Sequence, residues 1–67
     1  NPTTGLFIIE GQDITEVEVY NAQGQLIRTQ VISGDRAEID LSNAANGLYL
    51  VRIMSGAGVT ERTVAKR

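Results

Sequence analysis

Three serines, Ser33, Ser42 and Ser55, are the hydroxyl nucleophiles most open to a catalytic reading in this 67-residue sequence, and it holds no histidine or cysteine to activate or replace them. Nucleophilic catalysis needs such a base within reach. Ser33 and Ser55 each precede a glycine, and Ser42 stands where it can cap a turn, so all three hydroxyls read as structural. The carboxylates offer two other chemistries. Glu16 and Glu18 share one strand face in "EVEVY", as a general acid–base pair would. Alternating outward charge is also what keeps a solvated strand from aggregating, and that is the reading adopted here. Asp35, Glu38 and Asp40 are one oxygen-ligand set left open to calcium; the other, "DLSNAANG", is no EF-hand loop, because counted from Asp40, Ala45 stands where glycine is needed and Val51 where glutamate is needed. "GAG" at 56–58 has no helical segment behind it and reads as a hairpin tip rather than a dinucleotide cradle. "NPT" at 1–3 is barred from glycosylation by its proline. No cofactor and no metal is called for.

Composition narrows the classes further. The chain is 42% apolar and 21% charged, too hydrophobic for a disordered tail, and no apolar run approaches the roughly 18 residues of a membrane helix. Net charge is −2, and the six basic residues are dispersed except for Lys66-Arg67. That is no nucleic-acid footprint, which needs a clustered basic patch. Lack of cysteine suits the cytosol and an exported protein equally. A chain beginning at Asn1 rather than methionine is expected to be a piece of a longer precursor.

These sparse groups must be carried by a small all-β domain. Turn residues recur at short intervals, with runs of about 6 to 9 residues between them, as in sandwiches and barrels. The runs predict six strands, near 6–10, 14–20, 25–32, 36–41, 48–54 and 59–66. In "EVEVYN" Val17 and Val19 face one side, with Glu16, Glu18 and Tyr20 on the other. "YNAQGQLIRT" predicts a hairpin whose turn, Asn21 to Gly24, closes on a glycine with positive φ. The returning strand then puts Ile27, Thr29 and Val31 on one side, and "AEIDL" puts Ala37, Ile39 and Leu41 inward. Val17, Val19, Ile27, Ile39, Tyr49, Val51 and Ile53 are the expected core.

"SNAANGLYLVRI" is the most closely specified corner. Ser42 is expected to cap one helical turn over 43–46, which Gly47 ends in the left-handed conformation. A strand apolar on much of both faces follows, hence a central one. Tyr49 at its start has the placement of a tyrosine corner, whose hydroxyl bonds backbone a few residues upstream.

The order of "NPTTG", "VEVYNAQGQLIRT", "IDLS", "NGLYLVRI" and the closing "AKR" resembles the C-terminal sorting domain of the type IX secretion system, over essentially the whole of residues 1–67. The resemblance implies an immunoglobulin-like antiparallel β-sandwich of about six to seven strands that is no enzyme. It implies an address on an N-terminal cargo domain of the same precursor, read by the outer-membrane secretion machinery after transit through the periplasm. A surface sortase then typically removes it, joining the cargo to lipopolysaccharide at the cell surface. The family pattern falls on Asn1, Pro2, Gly5, Tyr20, Gly24, Gly47, Tyr49, Val64, Lys66 and Arg67, with the cleavage site expected upstream of Asn1. An exposed edge strand leaves room for a weak homodimer. Two other readings stand beside it: a structural or partner-binding sandwich module of a larger extracellular enzyme, and a carbohydrate-binding module, for which Phe7, Tyr20 and Tyr49 make a thin aromatic platform.

Overall fold

The structure, a computed structural model, describes residues 5–67; Asn1 and Pro2 lie outside the described residues. Four strands are found among them: β1 (Leu6–Tyr20), β2 (Leu26–Asp40), β3 (Gly47–Ser55) and β4 (Gly58–Lys66). They form one antiparallel sheet in the order β2-β1-β3-β4.

Four strands replace the expected six to seven because two stretches that read as turns are bends inside continuous strands. Between the pairs Glu10–Arg36 and Ile14–Gly34, β1 carries Gly11, Gln12 and Asp13 opposite Asp35 alone. Surplus residues on one strand bend a ladder without ending it. Asp13 takes a left-handed φ of 53° there, its N–H donates to Asp35 Oδ1 (3.3 Å), and its carbonyl accepts from Gly56 N–H (3.2 Å). Both strands of the long hairpin therefore turn together.

The bend doubles β2 back on itself. Arg28 Nη1 donates to the Asp40 carbonyl at 2.7 Å and Gln30 Nε2 to the Glu38 carbonyl at 3.0 Å. A straight strand would hold residues 28 and 40 about 40 Å apart. The inner sides of the two halves thus enclose one core, in which Ile9, Ala37, Ile39 and Leu41 meet Val17, Val19, Tyr49, Val51 and Ile53. Six of the seven expected core residues are buried; Ile27 is not, at 43% exposure. The register explains it: Val19 pairs with Arg28 and Tyr20 with Leu26, so Ile27 is the extra residue of a bulge. The same register turns Arg28 and Gln30 toward the inner side, where they make the two clamps just described, and leaves Val31 86% exposed on the other.

The segment before β3 also departs from expectation. Residues 42–46 form turns and no helix, with Ala44 N–H donating to the Leu41 carbonyl (3.0 Å). Asp40, not Ser42, does the capping: its Oδ1 accepts from Ser42 N–H at 2.9 Å. An aspartate that bonds the backbone two residues on makes its own turn and leaves no helix start for Ser42 to cap. Gly47, with φ near 150°, opens β3 rather than closing a helix.

Candidate functional site

The motif residues among the described ones, dispersed over the sequence, converge on one end of the molecule. Doubling back brings the Leu6–Asp40 end of the hairpin over its Tyr20–Leu26 end, as the Arg28–Asp40 contact records. Three segments meet there: the turn at 21–25, the loop at 41–46, and the start of the described chain at Gly5. The two loops line a shared groove of about 240 Å³ that includes Asn21, Ala22, Asn46, Gly47 and Tyr49.

Gly5 is the hinge of this end. Its φ is +80°, and a Cβ built on it would come within 2.9 Å of the backbone of Ser42, so only glycine fits. Its carbonyl accepts from Leu41 N–H at 2.7 Å, tying the start of β1 to the 41–46 loop. At the hairpin, Asn21 Oδ1 accepts from the N–H groups of both Gln23 and Gln25 (3.0 Å each), and Gly24 takes the expected positive φ of 85°.

Tyr49 forms the tyrosine corner. Its ring is 6% exposed, and its hydroxyl donates to the Ala45 carbonyl four residues upstream. Val64 is its ladder partner on β4 and packs against the core. Lys66 pairs with Gly47, and its Nζ donates to Asn46 Oδ1 at 3.1 Å, so this ammonium is a clasp on the 41–46 loop rather than a loose charge. Arg67 follows the last ladder pair and is exposed.

Tyr20 belongs to the outer face. Its hydroxyl donates to Glu18 Oε1 at 2.8 Å. Arg52 lies across the ladder from Glu18, its Nη1 3.8 Å from that carboxylate and its Nε 3.4 Å from Glu61 Oε2, an ion-pair distance without hydrogen-bond geometry. Tyr20, then the two carboxylates, hold the guanidinium more firmly charged than usual. Beside this row lies a shallow groove of about 560 Å³ with Tyr20, Gly24, Leu48, Leu50 and Thr63 in its lining. The Glu18–Arg52–Glu61 row was missed in the sequence, although outward parity on neighbouring central strands is the signal that would reveal it.

The carboxylates weighed as calcium ligands have separate partners. Asp35 receives Asp13 N–H, Glu38 lies 3.3 Å from Arg36, and Asp40 receives Ser42 N–H. Hydrogen bonds from the Ser42 side chain and then its backbone hold the Asp40 carboxyl below its ordinary range. No group of three or more metal-ligating side chains occurs among the described residues.

The family model for the secretion system C-terminal sorting domain matches residues 1–67. The chain belongs to that family. No curated protein and no solved structure matches it. As a sorting domain it is a secretion signal of the type IX system, which implies interaction with the secretion machinery and export across the outer membrane to the surface or the medium. The sorting-domain family is defined by signalling rather than by catalysis.

Proposed function

We propose that residues 1–67 form a single, non-catalytic address domain, folded as an immunoglobulin-like sandwich, that carries an N-terminal cargo through the periplasm to the outer-membrane machinery. After export a surface sortase cuts upstream of Asn1 and the cargo is joined to lipopolysaccharide. The observation that carries this reading is the family match over the whole chain. The loop end supports it, because Gly5, Tyr20, Gly24, Gly47, Tyr49, Val64 and Lys66 come from distant parts of the chain and yet share one end. A receptor reading that end reads the completed fold, and Arg67 beside it offers an exposed charge.

The test is export of a reporter carrying an ordinary export signal and fused ahead of residues 1–67, in a cell with a type IX system. The reporter reaches the surface. Periplasmic retention of a folded fusion would instead favour a structural module. Substituting both Lys66→Gln and Arg67→Gln keeps the ladder and an Asn46 partner while removing both charges; the expected outcome is a folded domain with impaired export, and unimpaired export would take these two side chains out of the signal.

A further inference from the structure

The two halves of the doubled hairpin are unequal layers. One layer holds the first half of β2, the second half of β1, β3 and β4; the other holds only Leu6–Glu10 paired with Arg36–Asp40. The short layer has two edges with opposite treatment. Along the β2 edge, the carbonyls of Glu38 and Asp40 are occupied by the Gln30 and Arg28 side chains, which block strand addition. Those carbonyls point away from β1, so in an antiparallel ladder their register partners point the other way. Ile8, opposite Glu38, and Glu10, opposite Arg36, therefore present N–H and C=O to the β1 edge, which pairs with no strand among the described residues.

Beside that edge lies a cleft of about 260 Å³, with Glu10, Gln12, Ile53, Thr60 and Arg62 in its lining. A strand laid along Ile8–Glu10 would occupy it and cover the inner side of β4. That side carries Thr60, Arg62, Val64 and Lys66, at alternate positions. Thr60 and Arg62 are exposed, and Arg62 has no ion-pair partner among the described residues. The lane thus offers backbone hydrogen bonds on one side and positive charge beneath.

We propose that the sorting domain binds, by β-augmentation at Ile8–Glu10, an extended strand of a partner protein whose inward-facing side chains alternate to place a carboxylate over Arg62. Main-chain bonds supply affinity and the Arg62 cation selects acidic strands. The identity of the partner as export machinery rests on the function proposed above; the site itself does not.

The probe is a blocked eight-residue peptide alternating valine and glutamate, titrated into the isotope-labelled domain, with a valine–lysine peptide as its counterpart. The acidic peptide shifts and protects the Ile8 and Glu10 amides and binds at least ~10-fold tighter than the basic one. Ile8→Pro abolishes binding with little change in far-UV circular dichroism, because an edge strand tolerates proline where the N–H faces outward. Arg62→Glu reverses the peptide preference and serves even where Ile8→Pro fails to fold. Equal binding of both peptides, shifts confined to the β2 edge, no binding, or self-association through these amides would overturn the proposal. In cells, retention of a folded Ile8→Pro fusion places the docking in export, and its normal export removes the machinery as the partner. Failure of the unmutated fusion to leave the periplasm would count against the sorting function alone, leaving the peptide result to stand or fall by itself.

Discussion

The two strands of the long hairpin have the same length, 15 residues each, and opposite fates. From Ile14 onward β1 lies between β2 and β3, and Ile14, Val17 and Val19 are almost completely buried. The first half of β2 has β1 on one side only; Leu26, Ile27 and Val31 stay exposed although their apolar pattern is as good. What separates them is register and cover: the bulge at Ile27 turns Arg28 and Gln30 inward and Val31 outward, whereas the second half of β2, also flanked by β1 alone, buries Ala37 and Ile39 in the core. The edge then finds another use for its inward positions, since Arg28 and Gln30 spend their polar ends on the folded-over backbone.

The strongest attempt to break that contrast removes the ring that anchors the sheet's interior. Tyr49→Ala is expected to cost about 3–5 kcal/mol as a large-to-small core change, whereas Tyr49→Phe loses one hydrogen bond, about 1 kcal/mol; chemical denaturation reads both. Gly5→Ala comes next. A left-handed backbone and a clash with Ser42 together cost on the order of 3 kcal/mol, while Gly24→Ala, with the same sign of φ and open space around it, costs about 1 kcal/mol. Val17→Ala against Ile27→Ala tests the two strands directly: about 2–3 kcal/mol for the central position and under about 1 kcal/mol for the bulged edge position. Equal losses would show that the bulge does not take Ile27 out of the core.

The smallest effect is electrostatic. Asp40 has a depressed folded-state pKa, so its contribution is present above the unfolded carboxylate value and is lost as pH falls through the folded value. Ser42→Ala removes the leading cause. The Asp40 titration, followed by carboxyl NMR, should move up toward the ordinary range, and the acid-side decline contributed by this residue should shrink.

Much of this was readable in advance, and for physical reasons. Val17 and Val19, Ala37 and Ile39, and Tyr49, Val51 and Ile53 alternate where both faces of the fold agree on an inside. The corner at Tyr49 and the positive φ of Gly24 follow from turn chemistry confined to a few residues. What escaped was non-local. Gly11-Gln12-Asp13 and Ser33-Gly34-Asp35 have the composition of chain-reversing turns, and only their pairing across the hairpin makes each the other's reason to bend. Ile27 was misplaced by a single bulge, which shifts the face of every residue beyond it. At the candidate site the family pattern named the individual positions, but the convergence of the described ones on one end depends on the doubling back, which no local stretch encodes. Lys66 stood out as part of the basic pair that ends the family pattern, and its bond to Asn46 across the β3–β4 ladder lay out of sight for the same reason.

The ladder of the hairpin, which runs through three register shifts from Tyr20–Leu26 beside the turn to Leu6–Asp40 at its far end, has a bearing on how the chain reaches this shape. Pairing that starts at the Asn21–Gly24 turn closes only a short loop, and each further rung extends a pairing already begun, stepping in register at three bulges, so the entropic toll of bringing distant residues together is spread thinly along a zipper. The rungs beyond the bend, Leu6 to Glu10 with Arg36 to Asp40, form last and open first. Among the β1 amides bonded within the sheet, exchange should therefore be slowest at Val17 and Val19 and faster at Ile9 and Phe7, so that the layer with the open edge is also the one the molecule most readily lets go.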